Sequence, residues 1–268
     1  MTTMSSVEAV SAVVDPATLI ADLEAGRLRA AEPDPGSRDG WRVRPEVKAG
    51  IIALFSDRAT RDWSVGPFWF SDRAAVPPRD FAGGGPWRIV PGGTSVRAGA
   101  RLGDGVVIMP PSFVNVGAWI GEGTMVDSHV LVGSCAQIGA GVHLAAGVTI
   151  GGVLEPPGGR PVIVEDDAFV GAGSCLLEGV LIRNGAVIGA GVSLTGTSRL
   201  YDLTRELVLQ GTVDEPLVVP PGAVVVPGSR AIAGDFAVSH GLGLATAVIV
   251  KQRDPGTAAR VALETALR

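Results

Sequence analysis

From Val96 to Ile150 an aliphatic side chain recurs at every sixth position: Val96, Leu102, Ile108, Val114, Ile120, Val126, Val132, Ile138, Leu144 and Ile150. A helix repeats every 3.6 residues and a strand every two, so neither alone accounts for this interval. A triangular β-solenoid does. One aliphatic per face points into a narrow axial core, three six-residue faces close an 18-residue coil, and successive coils stack at roughly 4.8 Å. Gly103, Gly121, Gly133, Gly139 and Gly151 each follow an inward aliphatic, where the absence of a Cβ is expected to help the backbone turn the corner.

The pattern breaks after Ile150 across Leu154-Glu155-Pro156-Pro157-Gly158-Gly159-Arg160-Pro161 and resumes at Val164, Val170, Leu176, Ile182, Ile188 and Leu194. Counted in hexads, the break adds two residues to the register, which a loop at a corner absorbs without disturbing the stack. A second departure runs from Thr195 to Leu217, after which Val219 and Val225 restore the interval. The residues from Ala245 to Lys251 read as a terminal strand and those from Pro255 to Leu267 as a closing helix, which would cover the open end of the last coil.

The first 86 residues follow another grammar. Asp15-Pro16 leads into a short helix over Ala17–Leu23, and Pro45–Phe55 has the apolar spacing of a second. Trp63, Phe68, Trp69 and Phe70 would either cover this helical region or dock it onto a neighbour, and Gly83-Gly84-Gly85-Pro86 marks a boundary. The expected organisation is mainly β: a helical N-terminal domain (1–86), a parallel β-helix of hexapeptide repeats (87–229) with inserted loops near 153–163 and 195–217, and a capping segment (230–268) of strand and helix.

The 38 glycines have no three-residue period, which excludes a collagen-like chain. A formal charge of -5 argues against a general nucleic-acid binder and leaves an anionic cofactor open. Two cysteines, Cys135 and Cys175, are too few for a disulfide scaffold and fall inside the repeat, where free thiols beside an apolar core are expected. No secretory leader or membrane-span pattern is visible, so a cytoplasmic protein is expected. The three histidines form no metal set.

Four longer motifs occur in order: Met109-Pro110-Pro111-Ser112-Phe113-Val114-Asn115-Val116-Gly117-Ala118, Gly121-Glu122-Gly123-Thr124-Met125-Val126-Asp127, Val132-Gly133-Ser134-Cys135-Ala136-Gln137-Ile138-Gly139 and Gly151-Gly152-Val153-Leu154-Glu155-Pro156. Together with Trp87-Arg88-Ile89-Val90-Pro91, Leu200-Tyr201-Asp202 and Ala247-Val248-Ile249-Val250-Lys251 they resemble the tetrahydrodipicolinate N-succinyltransferases of the hexapeptide-repeat acyltransferase superfamily. The resemblance implies a left-handed parallel β-helix, a homotrimer with sites at subunit boundaries, and no resident cofactor. It also implies succinyl-CoA as co-substrate and a small amine-bearing dicarboxylate as acceptor, in lysine and diaminopimelate synthesis.

Residue by residue, the resemblance assigns Asp127 to the carboxylate that orients or deprotonates the acceptor amine and Glu178 to a second family glutamate with a candidate catalytic role. Arg88 and Arg199 match positions near the acceptor, where a guanidinium can pair with a carboxylate. Gly151, Gly152, Arg160, Ala190 and Lys251 are candidate contacts for CoA. The chain departs from the family at two acceptor-side positions, with Gly173 where the family has Arg and Cys175 where it has a catalytic Glu. Each candidate has a structural alternative: a corner carboxylate on backbone donors for Asp127 and Glu178, interface or solvent ion pairs for the cations, packing for Cys175. His129 and His143 do not displace the carboxylate chemistry. The alternatives to succinyl transfer are a paralogous CoA-dependent N-acyltransferase with another amine acceptor and a non-catalytic structural trimer.

Overall fold

A computed structural model describes residues 15–154, 159–212 and 214–257. Its body is a triangular prism of two-residue strands in three parallel sheets. Face 1 starts at Arg88–Ile89 and continues through 107–108, 125–126, 143–144, 169–170 and 187–188 to the strand Ala223–Ala231. Face 2 stacks 95–96, 113–114, 131–132, 149–150, 175–176 and 193–194, and face 3 stacks 101–102, 119–120, 137–138, 163–164, 181–182 and 218–219. The chain visits the faces in the order 1, 2, 3, and from Val96 onward the second residue of each two-residue strand is the hexad aliphatic, buried in the axial core, with Ile89 partly buried at its end.

A second buried column lies two residues before each hexad aliphatic and is built of small side chains such as Ala100, Val106, Ala118, Val130 and Ala186. Hydroxyls take this place at Ser112, Thr124 and Ser174, and they zip successive coils. Thr124 Oγ1 donates to the Gly139 carbonyl at 2.7 Å and accepts from the Val142 amide at 3.1 Å. Ser174 makes the same pair with Gly189 and Val192, and Ser112 with Asp127 and Val130.

The glycines divide into two kinds. Gly103 has an ordinary φ, but a Cβ there would lie 2.5 Å from the Glu122 nitrogen of the next coil, so it permits close stacking rather than the turn. The turn itself is made two residues later, where φ is positive, as at Gly105 and Gly173. His129, Cys135 and Asp167 occupy that left-handed position with side chains, and Glu178 also has positive φ.

Both interruptions leave from the corner between faces 2 and 3. Face 3 follows directly after the first, so the insertion is eight residues beyond an ordinary step, not two, and no face is skipped. The second carries an antiparallel hairpin, Arg199–Asp202 with Leu207–Gln210. The hairpin joins an extension of face 1, in which Ala223–Ala231 pairs antiparallel with Gly243–Gln252 through a register shift at Val224/Val225. The predicted terminal strand lies within Gly243–Gln252. Most of the predicted closing helix falls outside the described residues.

The N-terminal region has helices α1 (Pro16–Ala25) and α2 (Pro45–Ser56), with two small hairpins. Asp15 caps α1 by accepting the Thr18 amide, Pro16 opens it, and Gly26 in the left-handed region ends it. Leu19, Leu23, Val47, Ile51 and Leu54 pack against Val116, Cys135 and Val153 at the face 2–3 corner. Arg29 lies 3.8 Å from the Trp119 ring centre on face 3 and donates to Gln137 Oε1. The indole of Trp41 donates to Glu165, which also pairs with Arg183. Phe68, Trp69 and Phe70 are exposed on a hairpin and do not cover the helices.

Candidate active site

Asp127 is the first residue of a corner between faces 1 and 2, directly after inward Val126. Its backbone is tied into the stack: the amide donates to Leu144 and the carbonyl accepts from Ser112 Oγ. The half-buried carboxylate accepts the Ser128 amide through Oδ1 at 2.6 Å, and among the described residues no cation pairs with it. One carboxylate oxygen is thereby held and the other left available, a geometry suited to accepting a proton or hydrogen bond from an amine. His129, two residues on, is exposed at the left-handed corner position.

Gly173 and Ala190 lie at the same corner further along the stack. At Gly173 nothing lies within 4 Å of a built Cβ, so the position is spatially open and restricted only by φ +69. Cys175 points outward from face 2 between Thr149 and Ser193. It is half-exposed, which corrects the expectation of a thiol packed beside the core. Cys135 does fit that expectation. It is buried against the N-terminal helices, and burial pushes its thiol up to about 12, with the charge of Lys48 opposing.

Glu178 is placed elsewhere, at the corner between faces 2 and 3, where its Oε2 accepts the Gly196 amide at 3.2 Å. Within one chain Asp127 and Glu178 therefore flank opposite edges of face 2. Gly151 and Gly152 are also at the 2–3 corner, and a Cβ on Gly152 would meet Ser134 Oγ at 2.5 Å, so coil stacking accounts for that glycine. Arg160, in the first inserted loop, is directed to the N-terminal region, with Nη1 2.7 Å from Asp39; burial lowers its pKa. Lys251 is exposed and pairs with Asp254 at 2.6 Å. Arg88 is exposed on the first strand of face 1, two ladder steps before Met125. His143, outward on face 1, meets the Phe169 ring edge-on at 5.1 Å.

Arg199 lines an open cavity of about 530 Å³ at the end of face 2, bounded by Gly191, Ser193, the second insertion and the long hairpin. Arg230 also lines it, a residue that sequence reasoning missed. Its only sequence signal is its place in a strand that continues past the last coil.

A prism of hexads with inserted loops at one corner and a carboxylate at another is the architecture of a hexapeptide-repeat transferase. Two family models match the repeats: "Bacterial transferase hexapeptide (six repeats)" over residues 117–152 and "Hexapeptide repeat of succinyl-transferase" over 161–196. Beyond the repeats, the chain is 39% identical to the 2,3,4,5-tetrahydropyridine-2,6-dicarboxylate N-succinyltransferase of Bordetella avium, covering 92% of this chain and 86% of the relative. It is 42% identical to that of Aromatoleum aromaticum (94% and 88%) and 41% identical to that of Idiomarina loihiensis (97% and 89%). The chain belongs to the 2,3,4,5-tetrahydropyridine-2,6-dicarboxylate N-succinyltransferase family.

Proposed function

We propose that this protein transfers a succinyl group from succinyl-CoA to the amino group of tetrahydrodipicolinate, the step of lysine and diaminopimelate synthesis carried by its family. The observation that carries the reading is similarity to the N-succinyltransferases along nearly the whole chain, solenoid and N-terminal region alike. The acceptor nitrogen attacks the thioester carbonyl carbon, the C–S bond breaks, and CoA leaves as a thiolate that takes up a proton. Carboxylates as a class are far too weak as bases to deprotonate a free amine. Asp127 instead accepts a hydrogen bond from the N–H and receives the proton once nitrogen becomes positively charged on addition. Direct attack requires no covalent role for Cys175.

The protein acts as a cytoplasmic homotrimer. Its prism has one face covered by its own N-terminal region, while Leu131 on face 2 and the Phe68–Phe70 hairpin are left exposed. Arg88 pairs with an acceptor carboxylate. Among the described residues, no helix is long and apolar enough to cross a membrane.

The test is CoA release from succinyl-CoA with freshly generated tetrahydrodipicolinate, alongside acetyl-CoA and acceptor-free controls, with sedimentation expected to give three chains of 27.3 kDa. Asp127→Asn should keep oligomeric state and CoA affinity while losing roughly 10²–10⁴-fold in kcat. Full turnover by that variant would remove Asp127 from the mechanism. A folded wild-type trimer that binds CoA but ignores this acceptor would point to another amine.

A further inference from the structure

Two consecutive residues of the N-terminal region hold the two inserted loops. The turn 34–40 joins the strands Ala31–Pro33 and Trp41–Val43. It is braced from inside: the Asp34 amide donates to the Gly40 carbonyl at 2.8 Å, and Asp39 Oδ1 accepts the Trp41 amide at 3.0 Å. Its hairpin is fixed to face 3, where Ala31 is buried against Ile163 and Leu181 and the Trp41 indole donates to Glu165. From this bracket Asp39 pairs with Arg160 of the first loop at 2.7 Å, and Arg38 pairs with Glu215 of the second. The Cα atoms of neighbouring residues are about 3.8 Å apart, so on a braced turn neither contact shifts without the other.

The corner at Glu178 and Gly179 lies between the same two loops. A Cβ on Gly179 would meet the Arg160 carbonyl oxygen at 3.1 Å, and Glu178 Oε2 accepts the Gly196 amide. Gly196 is one limb of the second loop's neck and Gly211 the other, close enough that a Cβ on Gly211 would lie 2.4 Å from the Gly196 carbonyl oxygen. Glu215 is tied to this neck through Thr212, whose amide donates to the Glu215 carbonyl at 2.8 Å while its hydroxyl accepts the Glu215 amide at 3.1 Å. Beyond the neck, Thr197, Ser198, Arg199 and Gln210 line the cavity at the end of face 2, so a shift of the neck moves that wall. The first loop is held by less. Arg160 meets Asp39 through Nη1, while its Nε and Nη2 are enclosed with no acceptor. Enclosed donors without partners cost free energy, so losing the grip of Asp39 frees this loop.

We propose that the turn 34–40 is a clasp, with Asp39 on the first inserted loop and Arg38 on the second, that makes the two loops order and loosen as one unit, and that Glu178 is a positioning residue of this clasp. Once the half-buried pair of Asp39 and Arg160 is made, Arg38 and Glu215 meet at an effective concentration fixed by that first contact. An exposed, screened pair, worth little alone, thereby gains its hold. The clasp does not depend on which acyl transfer the site carries out.

The test is hydrogen–deuterium exchange of the full-length protein, read by mass spectrometry, for the wild type, Asp39→Asn, Arg38→Gln and the charge-exchanged pair Arg38→Glu/Glu215→Arg. Either single variant removes an ion pair to one loop only. The expected result is exchange roughly two- to fivefold faster at both loops, residues 159–162 and residues 195–199 with 214–217, in each single variant, and a return to wild-type rates in the charge-exchanged pair. Glu178→Ala should loosen both loops likewise, whereas Glu178→Gln, which keeps an oxygen for the Gly196 amide, should not. Faster exchange confined to the loop that lost its own ion pair would mean two independent loops and would overturn the clasp. Arg38 is exposed, so Arg38→Gln decides this even if Asp39→Asn disturbs the fold. Wild-type rates in Glu178→Ala would remove Glu178 from the clasp.

Discussion

At the scale of single residues, the two thiols make opposite predictions from one composition. Cys135 is sealed beneath α1 and α2 and its thiol is pushed up to about 12, whereas Cys175 stands half-exposed on face 2. Reactivity follows the thiolate and its accessibility. Iodoacetamide at pH 8 should modify Cys175 in the native protein and Cys135 only after denaturation, as read by peptide mapping; native labelling of Cys135 would contradict its packing. Thr124 makes a second test. Its hydroxyl serves the Gly139 carbonyl and the Val142 amide in a buried corner. Thr124→Val keeps the volume and strands both groups, so a loss of about 1–3 kcal/mol is expected from denaturant midpoints. Thr124→Ser should retain most of it. The hexad column was legible because large aliphatics recurring at that interval fit neither a helix nor a flat strand. The smaller column beside it was not, since Ala, Val, Ser and Thr at a corner look like ordinary turn and strand residues until the i+18 neighbour is known.

Among the elements, the hairpin Arg199–Asp202/Leu207–Gln210 depends on one buried carboxylate. Asp202 is about 1% exposed and accepts from the Thr204 amide and hydroxyl, from the Arg205 amide, and from Arg205 Nε at 2.6 Å. Burial pushes its carboxyl up, but the hydrogen bonds from Thr204 and Arg205 outweigh that, and its pKa falls below the ordinary 3.8. A depressed acid pKa contributes stability that is complete above the unfolded value and disappears as pH falls through the folded one. The stability gap between wild type and Asp202→Asn should therefore be flat from pH 7 to about pH 5 and close below about pH 4. A gap that widens on acidification would assign the wrong sign. Both insertions were visible in the sequence as breaks in a period. Their shared corner was not, because counting hexads gives a remainder of two after Ile150, whereas only the pairing of Ile163–Val164 with Gln137–Ile138 shows that the chain passes directly to face 3. Arg230 escaped notice for a related reason: it lines the same cavity as Arg199, which comes from a strand about thirty residues earlier, and neither hexad spacing nor local motif connects them.

For the molecule as a whole, the sequence made the division into helical region and solenoid legible, but not the latch between them. That latch is a cation held over a ring: Arg29, buried enough that its pKa drops to about 10 yet still charged at neutral pH, lies over Trp119 and bonds Gln137, with the Trp41 ring centre 5.6 Å away. Arg29, Trp41, Trp119 and Gln137 are spread over more than a hundred residues, and no single segment looks unusual. A desolvated cation–π contact is worth about 2 kcal/mol, comparable with the energy that separates a docked segment from an open one. Arg29→Met keeps the apolar stem and removes both the charge and the donor to Gln137. Its solenoid should stay folded, because the axial core makes no contact with Arg29, while hydrogen exchange rises at residues 29–43 and at the face 3 strands 119–120 and 137–138 and stays unchanged along face 2. Uniform acceleration along all three faces would instead mean that the N-terminal region and the prism unfold as one unit, with no separable latch between them.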